Sequence, residues 1–129
     1  MATVTDLIAL LEAGARRRTS EAAAARRAGA QVEGLRGEAD AFILLALELR
    51  EHGDPVALLE ALYDMERAAI WTARLDEEQA ARFESQGNTA AGRYHARSAR
   101  YSRGLVEGYG QARLLLATWR PTGERPVGA

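Results

Sequence analysis

Residues 89–119 read TAAGRYHARSARYSRGLVEGYGQARLLLATW, and their apolar and small positions recur by threes and fours: Ala91, Tyr94, Ser98, Tyr101, Leu105, Gly108, Ala112, Leu115 and Trp119. An α-helix turns once in 3.6 residues, so this spacing gathers the series onto one face. Nothing in the stretch alternates apolar and polar residues as a half-buried strand would. A long helix over about 88–119 follows.

Working backwards, Gln86-Gly87-Asn88-Thr89 supplies a glycine stop and then an Asn or Thr cap. His52-Gly53-Asp54-Pro55 repeats the logic with a terminal Gly, an Asp N-cap and a Pro at the first helical position. The segment between them, 54–85, carries Leu58, Leu62, Met65, Ala69 and Ile70, then Leu75, Ala80 and Phe83, and a kink is expected near 75, where Asp76 can restart a helix. The first long segment, about 20–52, has the series Ala25, Ala28, Val32, Leu35, Ala39, Phe42, Ala46 and Leu49, with Gly29, Gly34 and Gly37 arguing for a kink or break partway. A shorter amphipathic helix from about Thr5 to Arg17, with Leu7, Ile8, Leu10 and Leu11, precedes it and suits either a cover over part of the bundle or a contact with a second subunit; Thr19 or Ser20 would begin the next.

The expected fold is therefore all-α: an antiparallel bundle of three long helices (about 20–52, 54–85 and 88–119) with a short N-terminal helix. The three nearly equal segments would each be about 48 Å long at 1.5 Å per residue. Residues 1–119 read as a single domain. Pro121, Gly123, Pro126 and Gly128 make 120–129 a tail. No repeat recurs at a fixed period, which argues against a solenoid.

Composition narrows the chemistry. With no cysteine, thiolate metal sites, disulfides and cysteine nucleophiles are excluded. The longest strongly apolar run, Phe42 to Leu47, is too short to cross a bilayer, and the start lacks a basic leader, so a cytoplasmic protein without a membrane partner is expected. Residues 4–18 are the one stretch with an apolar face beside a basic one, and they are short for membrane binding. All seventeen basic residues are arginine, which reads as genomic composition rather than mechanism. The net charge of −1 hides a segregation: six arginines against four acids in residues 1–37, four against twelve in 38–84, seven against two in 85–129. An acidic middle and a basic end suit either helices that pair with each other or a basic face offered to a partner.

No catalytic constellation is legible. A carboxylate-bridged two-metal site in a bundle needs Glu-x-x-His, and neither His52 nor His95 has a Glu three residues before it. Glu77-Glu78 is followed by Ala81 where a magnesium-binding carboxylate cluster would need a third acid. There is no Gly-x-Ser-x-Gly and no phosphate loop. Glu66 and Asp76 are the polar residues near a stripe that would line a pocket if one existed. The reading is of a non-enzymatic chain with no cofactor.

The most distinctive stretch holds Arg93, Arg97, Arg100 and Arg103 with Tyr94 and Tyr101, and no acid between Glu84 and Glu107. Arginine neutralises phosphate and stacks on bases, and tyrosine offers a stacking face, so these four arginines are the candidate nucleic-acid or partner-binding residues. The competing reading pairs charges within a hairpin around Gly87. Residues whose numbers sum to about 173 would then face each other, setting Asp76, Glu77 and Glu78 near Arg93 and Arg97 and putting Tyr94 and Tyr101 in the core. Arg16-Arg17-Arg18 adds a second basic cluster, read as a solvated face or helix terminus.

Alanine-rich stripes fill little volume, so pairing with a second copy or a partner helix is the natural complement. The expected function is protein–protein interaction as a homo-oligomer or adaptor, with Leu7 and Leu11 as candidate oligomer contacts and nucleic-acid binding through the last helix as the alternative. Gln86-Gly87-Asn88, Ala90-Ala91, Tyr94-His95 and Gly104-Leu105 together resemble helices in small proteins of phages infecting high-GC actinobacteria. The resemblance implies phage or prophage origin and carries over no functional residue.

Overall fold

The structure is a computed structural model that describes residues 3–119. Its elements are α1 (Val4–Arg27), α2 (Glu33–His52), α3 (Pro55–Ser85) and α4 (Thr89–Thr118), with no strand among the described residues. Consecutive helices run antiparallel and form an all-α bundle. The tail proposed for 120–129 lies outside the described residues.

Local chemistry accounts for the ends. Thr3 and Asp6 form a reciprocal capping box at α1, in which the Asp6 amide donates to Thr3 Oγ1 (3.1 Å) and the Thr3 amide donates to Asp6 Oδ2 (3.0 Å). Asp54 caps α3 by accepting from the Ala57 amide at 3.0 Å, with Pro55 at the first helical position. Asn88 caps α4 through the Ala91 amide at 3.2 Å. Both turns marked in the sequence are thus where their capping residues place them.

The N-terminal boundary differs. The first helix continues to Arg27, so residues 20–27 belong to it and not to the segment ending at His52. Thr19 does not start a helix. Its hydroxyl donates to the Ala15 carbonyl one turn back (2.9 Å), which satisfies it inside a continuing helix. The chain breaks at Ala28-Gly29-Ala30, where Gly29 takes φ 80, a left-handed conformation that side chains resist. One of the glycines that argued for a break makes it, while Gly34 and Gly37 stay inside α2. In α3 the helix runs unbroken through Leu75 and Asp76.

The helices lie side by side in the order α1, α2, α4, α3. α2 and α4 form the central, parallel pair, α1 packs on α2 and α3 on α4, while α1 meets α4 and α2 meets α3 only marginally. Glycine makes the central pair close. A Cβ at Gly108 would lie 2.7 Å from Ala41 Cβ and 2.8 Å from the Glu38 carbonyl oxygen; one at Gly37 would lie 2.8 Å from the Leu105 amide nitrogen. One at Gly104 would collide with the Gly34 backbone. The core lies where the helices converge: Leu7 and Leu11 of α1, Phe42, Leu45 and Leu49 of α2, Leu58 and Leu62 of α3, Tyr109, Ala112 and Leu116 of α4. Burying a leucine contributes roughly 1.5–3 kcal/mol, so this cluster dominates the stability.

Candidate interaction surfaces

The last helix was expected to present either its arginines or a charge-paired hairpin, and it does the second through different partners. Arg103 donates to Glu77 of α3 (Nη2 to Oε1, 2.6 Å). Arg100 and Arg97 lie 3.6 and 3.9 Å from Glu33 of α2, and Arg113 is paired with Glu66. Hydrogen bonds from Arg103 hold the Glu77 carboxyl below the usual carboxylate range. Glu33 is likewise held down, first by a backbone amide and then by Arg100. Arg93 is exposed and makes no ion pair among the described residues.

The register also differs in detail from the expected one. Asp76 faces neither Arg93 nor Arg97. Its carboxylate accepts from Ser98 Oγ (2.6 Å) and lies 2.9 Å from His95 Nδ1, while the His95 ring stacks on Phe83 at 5.4 Å between centroids. A nucleophilic triad needs the imidazole between hydroxyl and carboxylate. Here the carboxylate is in the middle and Ser98 donates to Asp76, so the cluster clamps α3 to α4. Glu66 and Asp76 are both largely buried, and both are occupied in holding α4.

Tyr101 is half-buried and donates to Asp40 Oδ2 at 2.6 Å; burial and that carboxylate push its phenol up to about 12. Tyr94, assigned to the core by its place in the stripe, is 68% exposed. α4 has to face α2 on one side and α3 on the other. The residues that do so, Gly92, Ala99, Ser102, Gly104 and Gly108, give only a faint hydrophobic signal.

The oligomer contacts inferred at Leu7 and Leu11 are corrected. These side chains are 2% and 0% exposed and pack within the chain's own core, because α1 docks in cis against α2. Arg18, read as part of a solvated cluster, is also structural: it donates to the Gly14 carbonyl at 2.9 Å, hydrogen-bonds Gln111 of α4, lies 3.5 Å from Glu38 and covers the Phe42 ring at 4.1 Å. Its neighbours Arg16 and Arg17, with Arg26 and Arg27, are exposed and make no ion pair among the described residues.

Three surfaces were not found in the sequence. On the outer face of α3, Tyr63 (61% exposed) and Trp71 (63%) flank Arg67, whose guanidinium lies 5.5 Å from the Tyr63 ring centroid. Their spacing of four is a helical stripe legible in the sequence, lying off the apolar series Leu58, Leu62, Met65 and Ala69. Between α1 and α4, Leu10 and Leu114 line an apolar cleft with Arg17 beside it. Between α2 and α3, a groove of about 710 Å³ lies over α4, with Gly34, Ala80, Ala96 and Ala99 among its floor residues; five carboxylates (Glu33, Glu38, Glu77, Glu84, Glu107) face two guanidiniums (Arg100, Arg103).

Glu48, Glu51 and His52 bring ligand atoms within 4.8 Å of one another on the last turn of α2, all exposed. The His52 ring lies 3.6 Å from Glu48 and 4.0 Å from Glu51. Among the described residues no helix is long and apolar enough to cross a membrane. Comparison with protein families, curated proteins and solved structures finds no match.

Proposed function

We propose that this chain is a non-enzymatic helical interaction protein of the cytoplasm, phage- or prophage-encoded, that associates with itself or with another protein and has no membrane partner. The supporting observation is the contrast between its polar clusters and its apolar surface. Asp76–His95–Ser98, Tyr101–Asp40, Glu77–Arg103 and Glu66–Arg113 all join one helix to another. Tyr63, Trp71, Leu10 and Leu114 instead face solvent, and exposed aromatics beside an arginine are what protein interfaces concentrate. Pull-down of the tagged protein from its native cell or phage lysate, with and without nuclease, tests this. A stoichiometric protein that survives nuclease supports the reading, and material lost on nuclease treatment overturns it.

The alternative is a nucleic-acid-binding module. It is favoured by one local arrangement, Arg93, Tyr94 and Arg97, all exposed at the start of α4 where a ring and two guanidiniums suit a stacked base and its phosphates. Arg93→Glu with Arg97→Glu should then abolish a salt-sensitive complex without unfolding the chain. Unchanged binding would remove this face.

A further inference from the structure

The groove between α2 and α3 is lined mainly by carboxylates, and α1 carries arginines that make no ion pair among the described residues, so the two surfaces are opposite in sign. The groove is open because α2 and α3 both pack on α4 and hardly touch each other, and its floor of Gly34, Ala80, Ala96 and Ala99 admits a helix backbone. The outward face of α1 is equally small. Ala13, Arg16, Arg17, Ser20, Ala24 and Arg27 are all exposed, with Arg16 and Ser20 at the edge that meets α2 and Ala13 and Arg17 at the edge that meets α4, so small and basic residues share this surface as small and acidic residues share the groove.

We propose that α1 of a second copy of this chain occupies the α2–α3 groove, its arginines set against the carboxylates of the rim. The proposal rests on the self-association reading and names its surfaces. Three of the five rim acids also hold arginines of their own chain: Glu33 with Arg97 and Arg100, Glu77 with Arg103, Glu38 with Arg18. Glu84 and Glu107 make no ion pair among the described residues, and they are the anions left for an incoming α1. Between Ala96 and Glu107 the groove floor accepts about three helical turns at 1.5 Å per residue. That is a small contact when made once. Groove and α1 are different surfaces of the same molecule, so two copies can each set the exposed face of α1 in the other's groove and make the contact twice, which brings the buried area toward the roughly 1,200–2,000 Å² of stable interfaces. Leu10 and Leu114 lie on the groove's side of α4, since Glu107 and Leu114 are two turns apart, and they supply apolar area beside the charged contact.

The test is a charge swap read by light scattering coupled to gel filtration. One variant carries Arg16→Glu, Arg17→Glu and Arg27→Glu; the other carries Glu84→Arg and Glu107→Arg. All five residues lie outside the helix–helix ion pairs, and thermal melts confirm that each variant folds. Wild type is expected above the 14.0 kDa of a single chain. Each variant alone should fall to that mass, with affinity weakened about tenfold or more, and an equimolar mixture should regain the wild-type mass because both contacts are complementary again. Variants that keep the wild-type mass, or a mixture that stays monomeric, overturn the assignment of surfaces while self-association stands. A monomeric wild type overturns self-association itself. A wild-type assembly that collapses on nuclease treatment overturns the proposal by assigning the α1 arginines to phosphates.

Discussion

Two seams meet along α4 and are built by opposite means. Against α2, backbone lies on backbone: Gly37, Gly104 and Gly108 bring the helices so close that a single methyl has no room. Against α3, polar side chains do the joining, with Asp76 holding His95 and Ser98, Glu77 holding Arg103, and Glu66 holding Arg113. Both seams solve the same problem, which is that alanine and glycine bury little apolar surface. The first gains dispersion contacts by proximity, and the second gains charge-assisted hydrogen bonds. The glycine contacts of the first should be intolerant of size and indifferent to pH, and the polar joints of the second the reverse.

The largest expected effect tests the glycine seam. Gly37→Ala and Gly104→Ala each place a Cβ against backbone atoms, which cannot rotate away, and should cost ~3 kcal/mol in urea unfolding despite a better helix propensity. Gly110→Ala has nothing within 4 Å of the new Cβ and should instead gain ~0.5–1 kcal/mol. Equal behaviour at all three positions would mean that α2 and α4 are not in close contact.

At the other seam, Asp76→Ala removes the shared acceptor of Ser98 and His95 and should cost ~1–3 kcal/mol, with Asp76→Asn costing less because it keeps an acceptor oxygen. Amide hydrogen exchange should locate the loss at residues 92–102, leaving the glycine contacts of Gly104 and Gly108 protected. A loss spread evenly along α4 would show that the two seams do not open independently.

The sequence showed one of these seams better than the other. Turn chemistry at Gly53-Asp54-Pro55 and Gly87-Asn88 is local, so the bounds of α3 and α4 could be read directly. The helix break was half legible: Gly29 lies at it, but the helix start expected at Thr19 or Ser20 is absent, because Thr19 donates to Ala15 inside a continuing helix. A search for a single apolar stripe misled at Tyr94, since α4 needs two packing faces and fills them with Gly92, Ala99 and Gly104. For the arginines, internal pairing and an exposed binding face were both open from the sequence, and pairing about Gly87 considers only α3. Glu33, which reaches Arg97 and Arg100 from α2, was invisible to it because α2 and α4 are parallel and distant in sequence. Leu7 and Leu11 suited the bundle or a second subunit equally for a similar reason: no local signal says that α1 docks in cis.

Tyr101 carries the next expected effect. Its phenol donates to Asp40 across the α2–α4 seam, and its folded value of about 12 lies above the ordinary 10.0. A raised value means that the stabilisation is complete below pH 10 and is lost as the pH climbs toward 12. Tyr101→Phe should cost ~1 kcal/mol at neutral pH and flatten that alkaline decline. An unchanged alkaline limb would place the sensitivity elsewhere.

The smallest effect separates the seams by acid. Glu77 and Glu33 both have carboxyls held below the ordinary 4.5, so their stabilisation is present above that value and disappears as the pH falls through the folded one. Glu77–Arg103 is about half exposed, and a double-mutant cycle should give less than ~1 kcal/mol for it. Glu33 is the more buried of the two, at 22% side-chain exposure against 49%, and ties α2 to α4 at the edge of the glycine contacts. If Glu33→Gln removes more of the acid sensitivity than Glu77→Gln, the α2 seam has an electrostatic latch beside its steric contact, and its indifference to pH is confined to the glycines.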